Sequence, residues 1–185
     1  TAVRLPSSLS AADGAMVEPL AVGLYGVRQS NIGPGSKVLV LGGGSVALCA
    51  IWWARALGAS KIVAASRSER RAELALAMGA DGFVAFGDNE APEIIAALGG
   101  EPDIVLECVG NPGFLAKGIK HVRNFGEVIS MGFCTAPDTI VPAMAAFKAA
   151  TLKFPVGYAL SDFERSVTEL ERGHADPKML ITSTV

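Results

Sequence analysis

The feature that most constrains this chain is a run of three glycines, Gly42-Gly-Gly44, directly after an apolar run and before a long uncharged one. Lys37-Val-Leu-Val-Leu41 places four apolar residues in succession, the pattern of a strand buried on both faces, as in parallel sheets. After Ala47 the chain reads as a helix to about Leu57, with Gly58 as its stop. A strand entering a helix across so tight a turn needs a parallel neighbour to return to. The sequence supplies several. Lys61–Ala65 reads as a strand, Ser66–Met78 as a helix with an apolar face of Leu74, Leu76 and Met78, and Phe83–Phe86 as a short strand. Glu90–Leu98 then reads as a helix, Asp103–Glu107 as a strand, Pro112–Lys120 as a helix and Glu127–Met131 as a strand. Strand–helix alternation with short connections predicts an α/β fold: a doubly wound parallel sheet with helices on both faces.

The ends are organised differently. Thr1–Leu9 reads as extended. Ser10-Ala-Ala-Asp13 has the spacing of a capping box with Asp in place of Glu, and it predicts a helix over about Ala11–Gln29, packed through Ala15, Leu20, Leu24 and Val27. Gly33-Pro34-Gly35 is expected to end that helix. The division is therefore residues 1–34 as a lead-in segment and helix, and residues 35–185 as the α/β unit. After Gly132, Met144–Ala150 reads as helical, Thr151–Phe154 as a further strand, Asp162–Arg172 as an amphipathic helix stopped by Gly173, and Leu180–Thr182 as the start of another strand.

Composition narrows the function classes. A net charge of −2 and the lack of any basic block argue against a nucleic-acid partner. The uncharged run Val38–Ala54 is slightly short for a bilayer span and is broken by glycines, and no signal-peptide pattern opens the chain, so no membrane association is expected. Cys49, Cys108 and Cys134 form no C-x-x-C pair, which fits reduced thiols in a cytoplasmic protein better than disulfides or a zinc ribbon.

Gly42-x-Gly44-x-x-Ala47 fits a corner built for a diphosphate. Gly42 permits the tight turn, Gly44 lets a phosphate approach the backbone, and Ala47 lets the helix pack closely on the sheet. The uncapped N–H groups and the helix dipole then favour an anion. Dinucleotide sites for NAD place an acid at the end of the second strand to take the ribose hydroxyls. Here Ser66 and Arg67 stand at that point, with Arg70 and Arg71 one turn on. A hydroxyl and guanidinium groups would bond a 2′-phosphate, so the reading is NADP, with NAD as the alternative.

Several segments carry a family resemblance: Val17-Glu-Pro-Leu-Ala-Val22, Gly35-Ser-Lys-Val-Leu-Val-Leu-Gly-Gly-Gly44, Ala56-Leu-Gly-Ala-Ser60, Met78-Gly-Ala-Asp81, Asp103-Ile-Val-Leu-Glu-Cys-Val-Gly110 and Gly126-Glu-Val-Ile-Ser-Met-Gly132. In that order and spacing, the chain resembles the Rossmann-type coenzyme-binding domain of the medium-chain, zinc-dependent alcohol and polyol dehydrogenases. The resemblance implies hydride transfer between NADP and an alcohol, polyol or carbonyl. It implies that Gly42, Gly44, Ser45 and Val46 hold the pyrophosphate. Ser66, Arg67 and Arg71 would lie at the 2′-phosphate, Cys108, Val109 and Gly110 beside the adenine and nicotinamide ribose, and Met131, Gly132 and Phe133 at the nicotinamide. It makes Glu18 a zinc ligand or a neighbour of one, although that residue sits in an otherwise apolar helical segment. The family's catalytic domain with its Cys and His zinc ligands is not contained in these residues, so the catalytic residues are expected there, with zinc in the full-length protein and no turnover by this chain alone. Other readings of the same corner are a non-catalytic dinucleotide sensor, a zinc-free quinone-type reductase and a methyltransferase; Ser66, where the last usually carries an acid, speaks against it. The resemblance also implies a homo-oligomer paired through an edge strand near Thr151–Phe154.

Overall fold

A computed structural model describes residues 4–175. The expected strand at Leu180–Thr182 lies outside them. In chain order the elements are α1 (Ala11–Arg28), β1 (Lys37–Leu41), α2 (Ser45–Ala56), β2 (Lys61–Ser66), a 3₁₀ turn (Glu69–Arg71), α3 (Ala72–Ala77), β3 (Gly82–Ala85), α4 (Glu90–Leu98), β4 (Ile104–Glu107), α5 (Phe114–His121), β5 (Glu127–Ser130), α6 (Pro142–Lys148), β6 (Thr151–Lys153) and α7 (Leu160–Glu171).

All strand pairs are parallel, in the order β3-β2-β1-β4-β5-β6. This is the doubly wound Rossmann arrangement, whose winding reverses between β1 and β4. Side chains alternate along each strand, as strand geometry requires. Val38, Val40, Ile62, Ala64, Ile104 and Leu106 pack toward α1, α2, α3 and α7. Leu39, Leu41, Val63, Ala65, Val105 and Val128 pack toward α4 and α5. Each fully buried Leu or Ile contributes about 1.5–3 kcal/mol.

The helix α1 belongs to this core through Met16, Val17, Leu20, Leu24 and Val27. The buried Trp53 indole of α2 donates to the Leu20 carbonyl at 2.8 Å, and the buried Asp162 of α7 pairs with Arg28. At Gly26, a Cβ would lie 2.7 Å from Met131 Sδ, so α1 rests directly on the end of β5.

Four local expectations are corrected. Pro6–Leu9 is a turn rather than extended chain, closed by Leu9 N–H to the Pro6 carbonyl. The capping box at Ser10 and Asp13 is present, but α1 ends at Arg28 with Gln29 as its cap. Gly33-Pro34-Gly35 shapes a later turn, in which Ser36 N–H reaches the Gly33 carbonyl at 3.0 Å. Ser66–Met78 is not one helix. Ser66 still belongs to β2, the Ser68 hydroxyl accepts from Arg70 N–H, and this starts a 3₁₀ turn before α3. Leu74, Leu76 and Met78 stand two residues apart, a spacing that a helix spreads around its axis, so Ala75 and Met78 are buried and Leu76 is 47% exposed. Among the described residues no helix is long and apolar enough to cross a membrane.

Candidate functional site

The carboxyl ends of β1 and β4 lie side by side at the point where the winding reverses, the place where open α/β sheets bind ligands. Gly42 leaves β1 with φ +125°, and a Cβ there would meet the Cys108 backbone at 3.3 Å. Its N–H donates to the Ala65 carbonyl, which ties the corner to β2. Gly44 precedes α2 in extended geometry and has no side chain to cap it. A Cβ on Gly44 would meet nothing within 4 Å. The first bond into the helix is Leu48 N–H to the Gly44 carbonyl, so the N–H groups of Ser45, Val46 and Ala47 precede the helical ladder, as at any uncapped N-terminus. Ala47 is fully buried against the sheet.

Beside this corner the structure gathers two of the three residues expected for a 2′-phosphate. A Cβ on Gly43 would lie 2.8 Å from Arg71 Cγ and 3.2 Å from Ser66 Oγ. The Arg71 stem and the Ser66 hydroxyl therefore both lean over the loop. Arg67 is exposed on the same connection. None of Arg67, Arg70 and Arg71 is ion-paired among the described residues.

The other expected residues form a second region. A cavity of about 350 Å³ is lined by Val46, Cys108, Met131, Gly132 and Phe133, with α1 supplying Glu18, Val22 and Tyr25 as the opposite wall. Val46 thus joins the loop to the cleft. Val109 and Gly110 lie on the loop beside it. Gly110 has φ +71°, and a Cβ on Gly110 or on Gly132 would collide with the backbone of the other. Phe133 is 70% exposed with φ +52° and separates this cavity from a second of about 330 Å³.

Glu18 is exposed at the mouth of the cleft, which corrects the expectation of apolar surroundings: its place on α1 faces the opening, while Val17 and Leu20 take the core side. Among the described residues no three His, Cys, Asp or Glu side chains gather into a metal site. His121 is buried on α5 against Glu90, and burial holds its imidazole below the usual range. His174 pairs with Glu169. Burial, and then the Glu18 carboxylate, push the Cys49 thiol up to about 12. Burial, Glu107 and Cys49 raise Cys108 likewise. Neither is an active nucleophile.

Sequence reasoning missed two residues of this site. Gly43 is the glycine against which Arg71 and Ser66 pack, and a middle glycine carries no motif weight. Glu107 is 2% exposed. Its Oε1 accepts Val109 N–H at 2.7 Å and Gly110 N–H at 2.8 Å, and its Oε2 accepts the Ser130 hydroxyl at 3.0 Å. A charged residue ending the apolar run Ile104-Val-Leu was the available signal.

Fold and corner together define a doubly wound parallel α/β domain with an anion-ready helix N-terminus at its switch point. The chain belongs to the zinc-binding dehydrogenase family, whose model matches residues 45–172. It is 34% identical to sorbitol dehydrogenase of Rattus norvegicus over 184 residues, covering 97% of this chain and 51% of that protein. Among solved structures, 2R,3R-butanediol dehydrogenase of Bacillus subtilis matches with TM-score 0.82 and 32% identity, over 96% of this chain and 51% of that one. A zinc-binding dehydrogenase of Sinorhizobium meliloti 1021, bound to NADP, matches with TM-score 0.81 and 26% identity, over 94% and 52%. The chain spans about half the length of the relatives it matches.

Proposed function

We propose that this chain is the NADP-binding portion of a dehydrogenase that moves hydride between the nicotinamide and an alcohol, polyol or carbonyl. The observation that carries the reading is the open corner at Gly44. Uncapped amides face a space that no side chain fills, with unpaired guanidinium groups beside it. A dinucleotide fits these residues. Gly42, Gly44, Ser45 and Val46 would hold the pyrophosphate, and Ser66, Arg67 and Arg71 the 2′-phosphate. Cys108, Val109 and Gly110 would hold the ribose side, with Met131, Gly132 and Phe133 against the nicotinamide. When bound, the cofactor supplies the hydride, while the protein orients it and excludes water. The names of the sorbitol and butanediol relatives, and the NADP in the Sinorhizobium structure, support the substrate class and the cofactor.

Zinc does not fit the described residues by themselves, because Glu18 has no companion ligands among them. The proposed division is a lead-in at residues 1–34, whose helix α1 packs into the shared core, and the dinucleotide-binding unit at residues 35–185. We also assign pairing with a second copy through β6, an outer strand flanked by the exposed Phe147, Phe154 and Val156, which analytical ultracentrifugation tests. Three unpaired thiols fit a reducing compartment, the cytoplasm.

Titration of the protein with NADPH and NADH tests the cofactor. NADPH binds more tightly, and Arg67→Ala weakens NADPH by about tenfold while sparing NADH. Equal affinities in the unaltered protein remove the NADP assignment, and binding of neither removes the dinucleotide reading.

A further inference from the structure

The two cavities on either side of Phe133 share one sign of charge. Glu18 stands at the mouth of the first, Glu107 and Asp138 line the second, and no Lys, Arg or His lines either. The other end of the site has the opposite character, with Arg71 packed on the glycine corner and Arg67 and Arg70 exposed on the segment that carries it. Among the three carboxylates Glu107 is the buried one, and every partner it has is neutral: two backbone N–H groups and one hydroxyl. Asp138 is held by the N–H groups of Gly113 at 2.7 Å and Thr139 at 2.8 Å, again without a cation. Glu107 is followed directly by Cys108, which lines the first cavity, so the buried carboxylate stands where the two cavities adjoin. Salt screens a buried charge far less than an exposed one.

A nicotinamide ring carries a positive charge when oxidised and none when reduced, whereas the phosphates are common to both forms and cancel from their affinity ratio. Resting on the dinucleotide reading above, we infer that the acidic lining of these two adjoining cavities, Glu107 foremost, sets which redox form of the cofactor is favoured, by stabilising the oxidised, cationic ring. The positive end of the site grips the phosphates, and the negative end discriminates the ring.

The test is calorimetric titration of the protein with NADP+ and with NADPH. Glu107→Gln keeps the shape and an acceptor but removes the charge. It shifts the affinity ratio toward the reduced form by about tenfold, the order of magnitude that removing one weakly screened charge near a cationic ring produces. Ser130→Ala removes a hydrogen bond and leaves the charge, so it holds the ratio within about twofold; a purely structural role for Glu107 would move both variants alike. If Glu107→Gln does not fold, the double variant Glu18→Gln/Asp138→Asn reads the same field from more exposed positions, with a shift of about threefold in the same direction. An unmoved ratio in Glu107→Gln, or in the double variant where that one fails to fold, overturns the inference while leaving the binding site intact. Failure of the unaltered protein to bind either form instead overturns the dinucleotide reading.

Discussion

The two ends of the same sheet treat their polar groups in opposite ways. At the amino ends of the strands the chain answers itself. Asp103 accepts Lys37 N–H at 2.7 Å and pairs with Arg123, and Asp81 accepts Ile62 N–H at 2.7 Å and pairs with Arg55. Glu127 takes Asn31 N–H at 2.7 Å and Lys153 at 2.9 Å. Each carboxylate there has both an N–H and a cation. At the carboxyl ends the loop after β1 has amides ahead of the helical ladder, the segment after β2 has guanidinium groups without carboxylates, and β4 ends on a carboxylate without a cation. Buried polar groups are satisfied internally at both ends. What differs is charge balance, which the chain completes at one end and leaves open at the other, as the proposed dinucleotide site requires. One end is a seam and the other a candidate socket.

The contrast is best attacked at the glycines that hold the socket open. Gly132→Ala drives a Cβ into the Gly110 backbone, and because backbone cannot step aside as a side chain can, the expected loss is at least about 3 kcal/mol in urea unfolding. A loss under about 1 kcal/mol would mean that β4 and β5 do not close against each other as described. The seam is tested by Asp103→Ala, which leaves the Lys37 N–H and the Arg123 guanidinium without their acceptor and costs about 1–3 kcal/mol. The same pairs set the acid limit. Burial pulls the Asp103 and Asp81 carboxyls upward, but the N–H groups and the guanidinium partners outweigh it and hold both below the usual range. A depressed native pKa gives stability that is present above the unfolded value, near pH 4, and lost as pH falls through the native one. Stability therefore declines below about pH 4, and Asp103→Asn flattens that decline; an unchanged acid profile in the variant would detach the pair from it. Smallest of all, Leu76→Lys lies within about 0.5 kcal/mol of the unaltered protein, because that side chain is turned to solvent.

What the sequence disclosed follows from which physical rules are local. Runs such as Val38–Leu41 and Ile104–Leu106 mark buried parallel strands by composition alone, and Gly42, Gly44 and Ala47 mark the corner by spacing, so the alternation and the open glycine corner were both legible. The start of α3 was not, because the 3₁₀ turn at Glu69–Arg71 carries no strong local signal, and Leu76 was misplaced because residues two apart do not share a helical face. Glu107 was not, because its role depends on Ser130 from a strand 23 residues away. Neither was the separation of the expected residues into a cationic corner and an acidic cleft, since no local pattern tells which side of Phe133 a distant carboxylate will face. The exposure of Glu18 depends likewise on how α1 is turned against β5.

That turning has a mechanical side. Gly26 lines the cleft beside Glu18, Val22 and Tyr25, and it leaves α1 resting on the Met131 side chain. Gly26 therefore works as a shim against a yielding surface. A larger side chain there would first displace that flexible thioether, and only when its slack is used would the helix be propped outward.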